Sequence, residues 1–239
     1  MFKMLLVYFI LAFFSLEYLT SVFLTPIVCS YYNIVENKNL KSIASRLVNI
    51  IVFHIHVYLA VAYRGNVDED HVFGKSTIST TFGNYCIAYF ISDLKNTFYI
   101  NNNNFHKMLV FIHHVFGSFI LYLIFLHNDA NYEYYGLYYF GISEISSIPL
   151  CTMNFYNDYK LKKRKEYFII QVLFVILFLL FRTVGFVYLF FLWHIETYEH
   201  LDNISSELYI PMISAQYFFT GLMFYWTYKI YRGSKKLNT

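Results

Sequence analysis

The sequence predicts an all-α, polytopic membrane bundle of about seven spans. Three observations carry that expectation. Of 239 residues, 58% are hydrophobic and 14% charged, against about 45–50% and about 25% in soluble domains. The apolar residues form runs of about 20, the length that crosses a hydrocarbon core of about 30 Å. Basic residues gather in alternate connections between those runs, as in multi-span proteins. Nine Gly and three Pro exclude a collagen-like or low-complexity chain. A scattered net charge of +3 gives no footprint for nucleic acid. The 27 Phe and 25 Tyr, with the run Asn101 to Asn104, fit an A+T-rich coding bias and carry little functional weight.

Taken in order, the first run is Met4–Leu24. It is long for a signal-peptide core, carries Glu17 and is followed by no small-x-small cleavage site. A retained signal anchor is therefore expected, so that 1–42 is an anchor helix and a loop. Ile43–Tyr63 follows with Arg46, His54 and His56, then Phe82–Ile100 with Asp93 near its end. Lys107–Leu126 contains the pair His113-His114. Tyr134–Met153 is the weakest run, because Glu144 and neighbouring Ser and Gly interrupt it; without it the count falls to six. Tyr167–Trp193 encloses Arg182, Leu208–Tyr231 is the last run, and 232–239 is a basic tail.

With the amino terminus lumenal, fourteen Lys and Arg fall on the cytoplasmic side and three on the other. The carboxyl terminus is then cytoplasmic. Asp68, Glu69, Asp70, Asp129, Glu133, Glu196, Glu199, Asp202 and Glu207 all fall opposite. The run of Lys and Arg at 160–165 can attract anionic head groups, although its ordinary role is to fix topology. The sequon Asn203-Ile204-Ser205 lies in a short lumenal loop. Lys235-Lys236 occupies the fourth and fifth positions from the end, one step out of register for dilysine retrieval.

A titratable group inside a span costs about 2.5–3.5 kcal/mol on insertion scales, so each one asks for a reason. Arg46 and Asp93 can reach the interface from span ends, and Glu17 has no evident partner. His113 and His114 are about 100° apart on a helix and can border one cavity. There they could act as base, proton shuttle or ligand, or simply bond across helices. His54 and His56 are about 200° apart, so they cannot share a cavity. Arg182 stays charged, and Glu144 is its expected intramembrane partner.

No metal or other cofactor is expected. The nine His show no H-x-x-x-H or H-x-x-H-H spacing, and no Cys stands at zinc-ligand distance from a His. Neither a G-x-S-x-G elbow nor a phosphate-binding Gly loop is present. Cys29, Cys86 and Cys151 cannot all pair and read as buried free thiols.

Several local patterns, in order, resemble the TLC-domain family of ceramide synthases, translocon-associated membrane proteins and small lipid-regulating proteins. Ser45-Arg46-Leu47-Val48 looks like the entry to the family's first shared helix, and Gly83 with Tyr89-Phe90-Ile91-Ser92-Asp93 like its G…Y-F-x-x-D helix. His113-His114 matches its paired histidines, and Glu144-Ile145-Ser146-Ser147 its E-x-S-[ST] segment. Phe178 with Arg182 is similar to F-x-x-x-R, and Tyr225-Trp226-Thr227-Tyr228-Lys229-Ile230 to the closing Y-W-x-x-K-I. The departures are Val52 where a His is common, Ile148 inserted before Pro149, and no D-x-x-D between His114 and Glu144. They make the chain more similar to the small members than to the acyltransferases.

The resemblance implies a six-helix TLC-type core over 43–231 in the endoplasmic reticulum or a connected endomembrane. It implies a lipid-homeostasis protein binding an acyl chain or sphingoid base in an intramembrane cavity. Arg46, Asp93, His113, His114, Glu144 and Arg182 would line that cavity, with membrane lipid as the partner. The alternatives are a sphingolipid N-acyltransferase, using acyl-CoA and His113/His114 as catalytic residues, and a non-catalytic translocon-type adaptor. Oligomeric state is not readable from the sequence.

Overall fold

The protein is described from a computed structural model covering residues 2–32, 34, 40–100, 104–127 and 132–235. Every regular element in that set is helical. The first rod runs through α1 (Phe2–Leu19), a π-helical turn (Thr20–Leu24) and α2 (Thr25–Tyr32). Then follow α3 (Leu40–Ala62), α4 (Ser79–Ile100) and α5 (Asn104–Phe125). The fifth rod is α6 (Glu133–Phe140), a 3₁₀ segment (Ile142–Ser146) and α7 (Ser147–Asp158). The sixth is α8 (Lys165–Leu177), a π-helical segment (Phe178–Val184) and α9 (Gly185–Glu199), and α10 (Ser206–Lys235) is the last.

Four rods are long and apolar enough to cross a membrane: Met4–Tyr32, Ile43–Ala62, Lys107–Phe125 and Lys165–Glu199. Among the other three, α4 is less apolar for a structural reason. It is the central helix, with every residue from Phe82 to Phe90 buried and with α1, α3 and α5 packed around it. A helix screened from lipid by its neighbours can carry Asn84, Ser92 and Asp93 without exposing them to hydrocarbon.

The first rod packs parallel to α4, Phe9 and Phe13 meeting Tyr85 edge-on or tilted at 5.6 and 5.3 Å. Farther along, Lys95 Nζ lies 3.1 Å from Glu17 and 4.7 Å above the Phe14 ring. Glu17, unexplained by the sequence, is thus paired across 78 residues of chain.

The fifth rod breaks where the sequence is least apolar. Pro149 has no N–H to offer the carbonyl one turn back, which weakens the helix at this point. The hydroxyls of Ser143 and Ser146 donate to the carbonyls of Tyr139 and Ser143 at 2.8 and 3.1 Å. They satisfy backbone groups that water cannot reach. Gly141 sits at the break, where an added Cβ would overlap Ala60 and the Leu137 carbonyl oxygen. Gly141→Ala is expected to cost about 2–3 kcal/mol through overpacking. Gly221, with open space around it, is expected to gain about 0.5–1 kcal/mol on replacement by Ala. Unfolding of both variants in one detergent checks the contrast; equal shifts would refute it.

Residues 63–79 fold over the acidic end of the bundle. Asp70 accepts from the Val72 and Phe73 amides, and Val72 O accepts from the Tyr132 amide at 2.8 Å. Glu133, at the head of α6 and 1% exposed, accepts from the Ser76 amide and the Ser79 hydroxyl. Burial raises its carboxyl pKa against those bonds and nearby Lys75. His71 Nδ1 lies 2.6 Å from Glu196 of α9 and stacks on Tyr134. These ties hold the acidic end closed while the polar interior lies deeper in the bundle.

Candidate functional site

Two polar groups occupy the interior. In the first, the Asn49 amide of α3 donates to Asp93 Oδ1 of α4 at 3.1 Å. His114 Nε2 of α5 lies 3.4 Å from Asp93 Oδ2. Three helices thus converge on one carboxylate whose side chain is 16% exposed. In the second, Arg182 Nη2 donates to Glu144 Oε2 and Ser147 Oγ, each at 2.7 Å, and its Nε to the Ser143 carbonyl at 3.3 Å. The Ser147 hydroxyl donates in turn to Glu144 Oε2.

Local backbone irregularity positions the second group. Ser143 and Glu144 stand in the 3₁₀ segment and Ser147 opens α7, so the break presents all three to the neighbouring rod. Arg182 stands in the π-helical segment Phe178–Val184, where the added residue per turn resets the facing side chains. Arg182 is 7% exposed although its helix is mostly lipid-facing.

His114 faces the Asp93 carboxylate. His113 turns elsewhere, its ring lying between Phe90, Phe219 and Trp226 at 5.9, 5.5 and 6.0 Å. Adjacent imidazoles thus face different chemistry: one a carboxylate, the other an aromatic box closed by α10. The Nδ1 atoms of both are buried without a hydrogen-bond partner.

Of the six residues singled out by sequence, the structure joins Asp93 to His114 and Glu144 to Arg182 directly. Arg46 lies instead toward the basic end, its Nε 3.5 Å from Asp158 Oδ2, an ion pair without hydrogen-bond alignment. His54 is exposed and bonds back to the Ile50 carbonyl, whereas His56 is 1% exposed, its ring 4.9 Å from Tyr85 and 5.3 Å from Tyr89. Asn49 escaped the sequence reading, and His56 was weighed there only against His54, as one of two rings that cannot share a cavity. Their signal was spacing, since 49 and 56 are seven apart on one helical face and Arg46 precedes Asn49 by three. Cys29, Cys86 and Cys151 are buried, and no disulfide joins them. Among the described residues, no three His, Cys, Asp or Glu assemble as a metal site.

A family model of the TLC domain matches residues 40–232, from the start of α3 to near the end of α10. Comparison with curated proteins gives no match. The matched range contains both polar groups and leaves the first rod outside.

Proposed function

The chain belongs to the TLC-domain family, whose members are membrane proteins of lipid metabolism or homeostasis, and we propose that it binds one long-chain lipid within its bundle. The ligand is an acyl chain or sphingoid base whose polar end sits beside His114 and Asp93, with the Glu144–Arg182 pair at the inner limit. The carrying observation is the convergence of Asn49, Asp93 and His114 from three helices in an apolar interior. Burying such groups is costly without a use, and an amine or hydroxyl head group would meet both a carboxylate acceptor and an imidazole.

The test is lipid analysis of the purified chain beside a His113→Ala/His114→Ala variant. A specific co-purifying long-chain lipid, reduced at least tenfold in the variant, is the expected result. The same lipid content in both, with the variant folded, would overturn the reading. One observation favours a second reading, sphingolipid N-acyltransfer. The unpartnered Nδ1 atoms leave each imidazole a nitrogen to take the proton of an amine as it attacks an acyl-CoA thioester, and to return it as the C–S bond breaks and coenzyme A leaves as the thiol. N-acyl product from a long-chain base and acyl-CoA, lost in the double variant, would establish it.

The membrane placed around this bundle is that of the endoplasmic reticulum or a connected compartment, with the tail and the 160–165 turn cytoplasmic. Eight of the eighteen basic residues lie in those two segments and support that orientation. Protease outside sealed microsomes is expected to remove the tail; removal only after permeabilisation would invert the topology.

A further inference from the structure

The turn joining α7 to α8 carries charge that the polar interior does not use. Lys160, Lys162, Lys163 and Lys165 are exposed, and none forms an ion pair among the described residues. Of the neighbouring acids, Asp158 faces Arg46 and Glu166 is exposed on the first turn of α8. Five basic residues therefore stand against one uncommitted carboxylate.

The turn is held in one shape. Lys160 adopts a left-handed conformation at φ 57°, and the Leu161 amide donates to the Tyr156 carbonyl at 2.8 Å. The Arg164 amide donates to the Leu161 carbonyl at 3.0 Å. Its guanidinium lies 5.0 Å over the Tyr32 ring, and the Tyr32 and Tyr156 hydroxyls bond to each other at 3.0 Å. The Tyr167 hydroxyl donates to Asn157 Oδ1 at 2.7 Å. Aromatic rings with polar tips sit naturally at the membrane–water boundary, which sets the depth of this turn.

Below it, α8 continues as an apolar face. Phe168, Ile169, Val172, Leu173 and Ile176 are exposed at i, i+3, i+4 spacing, and Lys165 heads the same stripe. From Lys165 to Ile176 the helix rises about 16 Å, the hydrocarbon depth of about one leaflet. Cations at the head-group level thus stand directly above a chain-length apolar stripe.

We propose that the α7–α8 turn and the outer stripe of α8 form a site for one anionic phospholipid of the cytoplasmic leaflet. Its phosphate lies among Lys162, Lys163 and Lys165, and its acyl chains run along α8. This site faces outward and is separate from the interior one. Charge complementarity selects the occupant, since zwitterionic lipid would leave the lysines uncompensated.

Delipidated full-length protein in neutral detergent, titrated with dioleoylphosphatidylserine or dioleoylphosphatidylcholine and read by native mass spectrometry, tests the site. Phosphatidylserine is expected to bind at least tenfold more tightly, with the preference shrinking as salt is raised. Replacing all four lysines with Gln is expected to abolish the preference, and replacing them with Arg to keep it. Lys162→Gln and Lys165→Gln singly, each expected to lose about twofold to fivefold, serve if the fourfold variant does not fold. Equal affinity for the two lipids, or a preference that survives the Gln set, would overturn the proposal. So would displacement of phosphatidylserine by an equal concentration of inorganic phosphate, or a dimer that buries the stripe.

Discussion

Glu144→Leu alone is expected to destabilise the protein by about 3–5 kcal/mol, more than Glu144→Leu combined with Arg182→Met. Among the described residues, the single change removes the one anionic acceptor of Arg182 and leaves the Ser147 hydroxyl and the Ser143 carbonyl. Two neutral oxygens cannot compensate a guanidinium that keeps its charge at any accessible pH. The double change removes the cation with its partner and leaves an apolar interior whose main cost is imperfect packing. Denaturant unfolding of both variants in the same detergent decides the matter. Equal destabilisation would show that the carboxylate is not what holds Arg182 in the bundle.

That pair was legible in the sequence because the energetics left few solutions. A permanent cation deep in an apolar run needs an anion at similar depth, and Glu144 was the obvious one. The weakness of the fifth rod was legible too, since Gly141, Ser143, Glu144, Ser146 and Ser147, then Pro149, suit a bundle interior better than a lipid-facing helix. The partner of Glu17 was not legible. It depends on α1 lying parallel to α4, and no local rule places Lys95 beside it. Asn49 was overlooked because a neutral amide enters a span cheaply and raises no alarm. The π-helical segment around Arg182 was also invisible, because it takes ordinary residues and is decided by packing. Adjacent positions His113 and His114 made a shared cavity plausible. Their separate surroundings follow from how α10 closes against α5, which the sequence of α5 alone does not encode.

Those separate surroundings make single histidine variants more informative than the double one. His114→Ala is expected to lower bound lipid at least tenfold, whereas His113→Phe lowers it less than threefold; both ranges follow from what each ring touches. Removing His114 leaves the Asp93 carboxylate with the Asn49 amide as its remaining bonded partner. An under-satisfied buried group costs about 1–3 kcal/mol, and a difference of about 1.4 kcal/mol is tenfold in affinity. His113 contacts Phe90, Phe219 and Trp226, a setting that accepts a phenyl ring of similar shape with little loss of packing. Asp93→Asn discriminates further. If the site recognises a cationic amine, Asn at this position should reduce binding of a sphingoid base far more than binding of a neutral acyl lipid. If recognition is by shape alone, both should fall together. Lipid quantification on the three variants, each checked to be folded by a cooperative unfolding transition, reads the outcome. A His113→Phe loss as large as that of His114→Ala would mean the two imidazoles act as a unit, and the division between a polar and an aromatic histidine would fail.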